Sequence, residues 1–363
     1  MSEDFFDKPF DEETHQKLQL FSNYIEKWLP VFLSTRYPRP IRIFDFFAGV
    51  GTDSNGAYGS PLLILKHLQN YNDLVSDSKV PITVFLNDRN KEYCDRLQAN
   101  VDKVGYNTEK VNVIISNKDF SEAFELARAD FIDSANLIFL DQFGVKYVDK
   151  SLFRFLVKLK FTDVIFFVSS STFNRFSEHE SIQPILELTT EEIKKHPPSK
   201  IHRAVTEKYQ SFIPDGAQYC IAPFSIKKES NVYGLIFGSG HPLGVEKFLD
   251  ICWDQDKQRG EANFDIDGEN IDEGAPSMFE DMNRPKKILV FEKELESKIL
   301  SRELRTDRDI FLYAINRGFI NKHIEPVIEK LKQEKRIELK QPSFRCNTVW
   351  KKEREPRPVE VLR

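Results

Sequence analysis

Between residues 41 and 170 the chain repeats one pattern five times: a short, continuous apolar run followed by a longer segment of helical character. The runs are IRIFDFF (41–47), ITVFLND (82–88), VNVIIS (111–116), ANLIFLD (135–141) and DVIFFVSS (163–170). A strand that is apolar at successive positions is buried on both faces, as in a parallel sheet covered by helices on each side. The segments between them, SPLLILKHLQNY (60–71), KEYCDRLQANVDKV (91–104), FSEAFELARADFID (120–133) and KSLFRFLVKLK (150–160), read as helices. This alternation predicts a doubly wound, mostly parallel α/β sheet with right-handed crossovers. Ligands of such sheets lie beyond the carboxyl ends of the strands, at the switch point.

The flanking segments fill out the organisation. Residues 12–34 space Leu18, Phe21, Ile25, Trp28 and Leu29 as one helical face, with Pro30 expected to kink or end the helix. This gives an N-terminal helical brace over 1–40. Residues 172–215 read as a polar, mostly helical insertion, and 217–228 with 231–240 as a hairpin that adds two strands. A helix over 244–253 ends the α/β domain, 41–255. Residues 256–285 are acidic and poor in aliphatics, the composition of a linker. The C-terminal part, 286–363, reads as helix, turn, helix and a two-stranded wing, with 340–352 supplying a turn and a wing strand.

Charge separates along the same boundary. Residues 286–363 hold 20 Lys and Arg against 13 Asp and Glu, whereas the chain as a whole carries a formal charge of −5. A basic tail on an acidic body points to nucleic-acid contact at one end. Asn321, Lys322, Lys332, Lys335 and Arg336 are the candidate contacts. The four cysteines show no CxxC spacing, so a zinc knuckle or thioredoxin-type site is not expected, and no metal site is read from the sequence. No apolar run reaches membrane-spanning length and the N-terminus is acidic, so a cytoplasmic protein without membrane contact is expected.

The candidate site residues lie where the strands end. The first strand stops at Asp45 and passes through Phe47 into a turn containing Gly49 and Gly51. Glycines there permit backbone angles and close approaches that a side chain forbids. The turn is neither a G-x-G-x-x-G fingerprint nor a P-loop. In α/β methyltransferases a first strand ending in an acid and a small-residue turn backs the amino-acid end of S-adenosylmethionine. Asp88, after the second strand, suits ribose hydroxyls or a helix cap. Asp119, with Phe120 beside it, suits an adenine amino group or a helix cap. Asp141 and Phe143, after the fourth strand, suit a target amine and the ring of a flipped base, or a plain turn.

Taken together, HQKLQLFSNYIEKWLPVF, FDFFAGVG, YGSPLLIL, FLNDRN, IFLDQFG and IFGSGHPLGVEKFLDICW, over about residues 15–255, resemble the three-Cys-motif partner (TcmP) family. The resemblance implies a methyltransferase-like Rossmann fold and a genomic partner carrying three cysteines, similar to proteins of the radical S-adenosylmethionine type. Gln142 stands where that family usually has Pro. Two functions follow as expectations. In the first, the chain binds S-adenosylmethionine as a methyltransferase-like protein acting on nucleic acid. Asp45, Phe47, Gly49, Gly51, Asp88, Asp119 and Phe120 then hold the cofactor, and Asp141 and Phe143 receive the target. In the second, favoured by Gln142, it is a non-catalytic partner or effector subunit in a bacterial or phage-linked system.

Overall fold

The computed structural model describes residues 5–35, 38–105, 109–141, 147–169, 200–228, 231–271 and 283–362. The chain forms two compact units, residues 1–241 and 242–363. Unit 1 is built on a seven-stranded sheet of order β3-β2-β1-β4-β5-β7-β6. Its strands are β1 (Ile41–Asp45), β2 (Ile82–Asn87), β3 (Val111–Ser116), β4 (Ala135–Leu140), β5 (Thr162–Ser169), β6 (Cys220–Lys228) and β7 (Asn231–Ser239). β1 to β5 pair in parallel, while β7 runs antiparallel between β5 and β6. The five apolar runs are the five parallel strands, and the hairpin supplies the other two.

Strand alternation assigns the two faces. Phe44 of β1 and Phe46 just beyond it, Ile138 and Leu140 of β4, and Val164 and Phe166 of β5 join one aromatic-rich core. That core also takes in α5 (Phe120–Ala127), α6 (Lys150–Val157) and α7 (Ile201–Phe212). The alternate positions meet α1 (Glu12–Leu33), where Phe21 stacks on Phe139 at 4.0 Å and Tyr24 meets Phe237 edge-on at 4.9 Å. The Tyr24 hydroxyl donates to Asp163 at 2.6 Å. Burial raises that carboxyl to about 6, with bonds including the one from Tyr24 pulling against it. α2 (Ser60–Asn70) and α4 (Lys91–Val104) follow β1 and β2. Between α2 and β2, Asn72–Asp77 forms a short helix, α3.

α1 does not stop at Pro30 but continues to Leu33. Proline has no N–H for the carbonyl four residues back. That carbonyl, on Glu26, instead accepts from the Tyr71 hydroxyl at 3.0 Å. The insertion expected over 172–215 is described only from residue 200, and there it is helix α7.

Unit 2 begins with α8 (Pro242–Gln255), so this helix belongs to the C-terminal unit, upstream of the boundary expected at 255. It continues through α9 (Lys286–Leu300), α10 (Asp307–Asn316) and α11 (Asn321–Gln333). Residues 256–271, expected as linker, fold onto this unit. Asp256 accepts from the amides of Gln258, Arg259, Glu261 and Ala262. Buried Arg259 pairs with Asp265 at 3.0 Å and Glu269 at 3.1 Å, so the acidic composition serves an internal guanidinium. The wing also differs from expectation. β8 (Ile337–Glu338) pairs with β9 (Glu360–Val361), and the intervening stretch holds a one-turn helix, α12 (Cys346–Val349), instead of a strand. Cys346 and Val349 are both buried at a helical interval, and the Glu246 carboxylate accepts from the Cys346 amide. Among the described residues no helix is long and apolar enough to cross a membrane.

Candidate functional site

Strand alternation decides which side chains share the carboxyl edge. Asp45 lies level with Leu86 of β2, so Asp88 projects to the same face as Asp45. Asp141, two residues beyond Phe139, belongs to that face as well. The sheet thus collects three acids from separate strands beneath α1 and α2.

Asp45 is fully buried. Its Oδ1 accepts from the Phe47 amide at 3.1 Å, and Ser60, the first residue of α2, bonds the same carboxyl group. Its Oδ2 is buried with no hydrogen-bond partner. Burial pushes the carboxyl up to about 7; the bonds from Ser60 and Phe47 pull it down, and the charges of Asp141 and Asp88 push it further up.

The turn that follows is left-handed at Gly49 (φ +58) and Gly51 (φ +83). A Cβ on Gly49 would also lie 2.3 Å from the Phe6 ring, and one on Gly51 2.9 Å from Leu97. The positive φ favours glycine at both positions, and a side chain there would also have to displace Phe6 or Leu97. Asp88 holds the turn in place. Its Oδ2 accepts from the Gly49 amide at 3.1 Å and its Oδ1 from the Asn90 amide at 2.8 Å. Asn90 in turn caps α4. Each carboxylate oxygen retains a further acceptor site. Asn87 donates to Phe46 and Lys118 carbonyls, while its own buried Oδ1 has no partner.

Asp119 is exposed and caps α5 by accepting from the Glu122 amide at 3.0 Å. Phe120 is buried against Phe46, Phe47, Phe124 and Tyr147, its ring stacked with Phe47 at 5.6 Å. Phe47 and Tyr147 are half-buried and form the outer part of this aromatic group. Gln142 and Phe143 lie outside the described residues.

Two features are not visible in the sequence alone. Asp53, buried within the turn, accepts from Asn55, Ala57 and Phe10 amides, the last at 2.8 Å. Burial would raise its carboxyl, yet these N–H bonds hold it below the ordinary value. The N-terminal segment is thereby tied to the turn that Phe6 covers. Asp53→Ala is expected to cost about 3 kcal/mol, since three amides lose a charged acceptor. Limited proteolysis would show earlier cleavage before Phe10. Unchanged stability and cleavage would refute the assignment. A D-x-N-x-A spacing marks such a loop only once the turn's geometry is known.

The second feature is Lys17 of α1. Its Nζ lies 2.6 Å from Glu13 and 3.5 Å from Asp141, between the rings of Phe167 (4.9 Å) and Tyr233 (5.0 Å). Burial lowers its pKa, but Asp141 and Glu13 outweigh it and hold the ammonium above its usual value. Asp141 Oδ1 is buried and has no hydrogen bond, so this pairing is coulombic. In the sequence Lys17 is only a polar position on a bracing helix.

In unit 2 the candidate nucleic-acid contacts are partly engaged. Arg336 pairs with Glu296 and Glu334, Asn321 donates to Glu325, and Lys322 sits 4.7 Å above the Trp253 ring. Lys332 and Lys335 make no ion pair among the described residues. No cluster of His, Cys, Asp and Glu suited to a metal ion occurs among the described residues.

A family model described as GMT-like wHTH domain matches residues 265–343. No curated protein matches the chain. Among solved structures, the METTL16 MTase domain is similar at 12% identity and TM-score 0.32, over 62% of this chain and 68% of that one. A SAM-dependent methyltransferase from Agrobacterium tumefaciens is similar at 8% identity and TM-score 0.34, over 64% and 63%, so the match spans just under two thirds of that enzyme. A putative O-methyltransferase from Klebsiella pneumoniae is similar at 9% identity and TM-score 0.32, over 64% and 90%. Likeness at this level carries no functional argument. The fold class rests on the mostly parallel seven-stranded sheet, with a winged-helix domain following it.

Proposed function

We propose that the carboxyl edge of β1, β2 and β4 binds S-adenosylmethionine and that the chain is a methyltransferase-like protein that acts on or binds nucleic acid. The observation that carries this reading is the buried, unpartnered Oδ2 of Asp45 beside the left-handed turn at Gly49 and Gly51. A buried acceptor without a donor costs free energy unless a ligand supplies one. The ammonium of the methionine end suits that oxygen. A ribose hydroxyl suits the remaining acceptor capacity of Asp88, and Phe47 with Tyr147 offers an aromatic wall. Asp119, with its cap satisfied, takes the adenine amino group only through its outer lone pairs. When bound, the cofactor supplies an electrophilic methyl on sulfur. In the catalytic form of this reading Asp141 positions the accepting amine, Phe143 packs on its ring, and the winged-helix domain engages DNA.

Titration calorimetry with S-adenosylmethionine tests the binding. Heat with one-site stoichiometry is expected for the wild type, and no heat or thermal shift at millimolar ligand removes the proposal. A second reading is favoured by Lys17, which already meets Asp141. Here the chain keeps the nucleoside pocket but serves as a partner subunit, consistent with its resemblance to the three-Cys-motif partner family. Ligand binding without transfer of a labelled methyl to DNA, RNA or protein separates the two.

A further inference from the structure

The amphipathic segment 150–160 contains Lys150, Arg154, Lys158 and Lys160 and no acidic residue. Nothing in the site above uses it. In the structure, α6 buries Phe153, Leu156 and Val157 against the aromatic core. Lys150, Arg154 and Lys158 repeat at i, i+4 and i+8 and therefore share one helical face. They line a groove of about 580 Å³ with Asp149, Ser151, Phe155 and Arg128 from the neighbouring 3-10 turn Arg128–Phe131. Arg128, Arg154 and Lys158 are exposed.

The groove's polar groups are mostly oriented by the protein itself. Arg128 lies 4.6 Å over the Phe155 ring and pairs with Glu125 at 2.7 Å. Arg154 Nε donates to the Phe212 carbonyl at 3.2 Å, which fixes the stem of its guanidinium and leaves the rest directed by it. The Lys150 ammonium is 5.3 Å from the Phe212 ring. Among the described residues of the groove and its 3-10 turn, Glu125 pairs with Arg128, and Asp149 Oδ1 accepts from the Leu152 amide to cap α6. Arg154 and Lys158 are exposed and have no ion pair among the described residues, which leaves this face of α6 positive. Unit 1 as a whole is not, since residues 1–241 hold 28 Lys and Arg against 32 Asp and Glu. The positive face is therefore a local feature on an acidic body.

We propose that this groove is a second nucleic-acid contact, one that holds the phosphate backbone of DNA. Four residues of helix advance about 6 Å. Phosphates of one DNA strand advance about 3.4 Å each along the duplex axis and lie further apart than that along the winding backbone, so the two spacings are of the same order. The exposed Arg154 and Lys158 heads, one helical repeat apart, thus suit neighbouring phosphates of a single strand. Contacts of this kind position the duplex without reading its sequence. α6 follows β4 in the chain, so its Lys150 end begins at the carboxyl edge that carries Asp141. The proposal rests on the nucleic-acid half of the reading above and is independent of the cofactor half.

The test is fluorescence anisotropy of the full chain with a short labelled DNA duplex over a range of salt concentrations. Arg154→Ala/Lys158→Ala is expected to weaken binding about tenfold at low salt and to reduce the slope of log affinity against log salt by about 2. Lys158→Glu, at an exposed position whose side chain makes no bond among the described residues, is expected to weaken binding with an unchanged melting temperature. That second variant covers the case of a folding defect in the double variant. S-adenosylmethionine titration of the same variants is expected to match wild type, so failure of the cofactor reading is seen separately. Wild-type affinity and salt slope in both variants would overturn the proposal, as would absence of any DNA binding by the wild-type chain. The same holds if an RNA duplex binds while DNA does not.

Discussion

Asp45→Asn is expected to make the protein more stable at pH 8 while removing most of its affinity for S-adenosylmethionine. The folded carboxyl titrates at about 7 against an ordinary value of 3.8, chiefly because it is buried. A carboxyl raised in the folded state binds its proton more tightly there than in the unfolded chain. Stability contributed by this group therefore falls as pH rises from about 4 to about 7 and is level above that. At full value such a shift is worth about 4 kcal/mol. Asparagine removes the charge but places a buried amide where Oδ2 has no partner, which returns about 1–3 kcal/mol. The net expectation is a gain of about 1–3 kcal/mol at pH 8, or a few degrees in melting temperature, that turns into a loss of about 1–3 kcal/mol at pH 4, where only the cost of the buried amide remains. The same substitution deletes a charge-assisted bond to the ligand, with an expected loss of about ten- to hundredfold in affinity. Wild-type affinity should rise with pH up to about 7 and then level off, since the ionised form accepts the ligand's cation. Thermal melts and calorimetry at three pH values check both parts. A destabilised variant at pH 8 that still binds would show that Asp45 is only a structural acid.

The other large effect is expected in unit 2. Asp307 is fully buried at the start of α10. Its carboxylate pairs with Arg354, accepts from the Arg357 amide at 2.9 Å and from the Ser343 amide at 3.2 Å, and its own amide donates to the Arg357 carbonyl. It thereby ties the segments on either side of α12 to α10 and carries the C-terminal strand towards β8. Asp307→Ala strands a mostly buried guanidinium and two amides, and breaking a buried pair from one side costs about 3–5 kcal/mol. The expected readout is a lower denaturant midpoint, with fluorescence of Trp350, close to the Arg308 guanidinium, reporting the loss. A cost below about 1 kcal/mol would mean that solvent reaches Arg354 and that this junction does not hold the wing.

The α/β body was legible because its signals are local. A strand covered on both faces must be apolar along its length, and an amphipathic helix must repeat its apolar positions, so five strands and their helices declare themselves in order. The end of each apolar run also marks the carboxyl edge, which is why Asp45, Asp88 and Asp141 could be named. Gly49 and Gly51 were legible for the same reason, as a turn so small needs positive φ. The wing was misplaced because a two-residue strand carries almost no periodic signal. Its partner lies more than twenty residues away, beyond a helix that burial of Cys346 and Val349 selects.

By itself, the order of apolar and amphipathic segments determined the sheet class, the carboxyl edge where the three acids gather and the presence of a separate C-terminal helical unit. Only the tertiary structure decided what each polar group does there. It gave Asp88 to the Gly49 amide, brought Lys17 from α1 against Asp141, joined Ser60 to Asp45 and left one Asp45 oxygen without a donor. Those outcomes depend on which side chains from distant segments arrive within bonding distance, and hydrogen bonds and buried charges act only at that range.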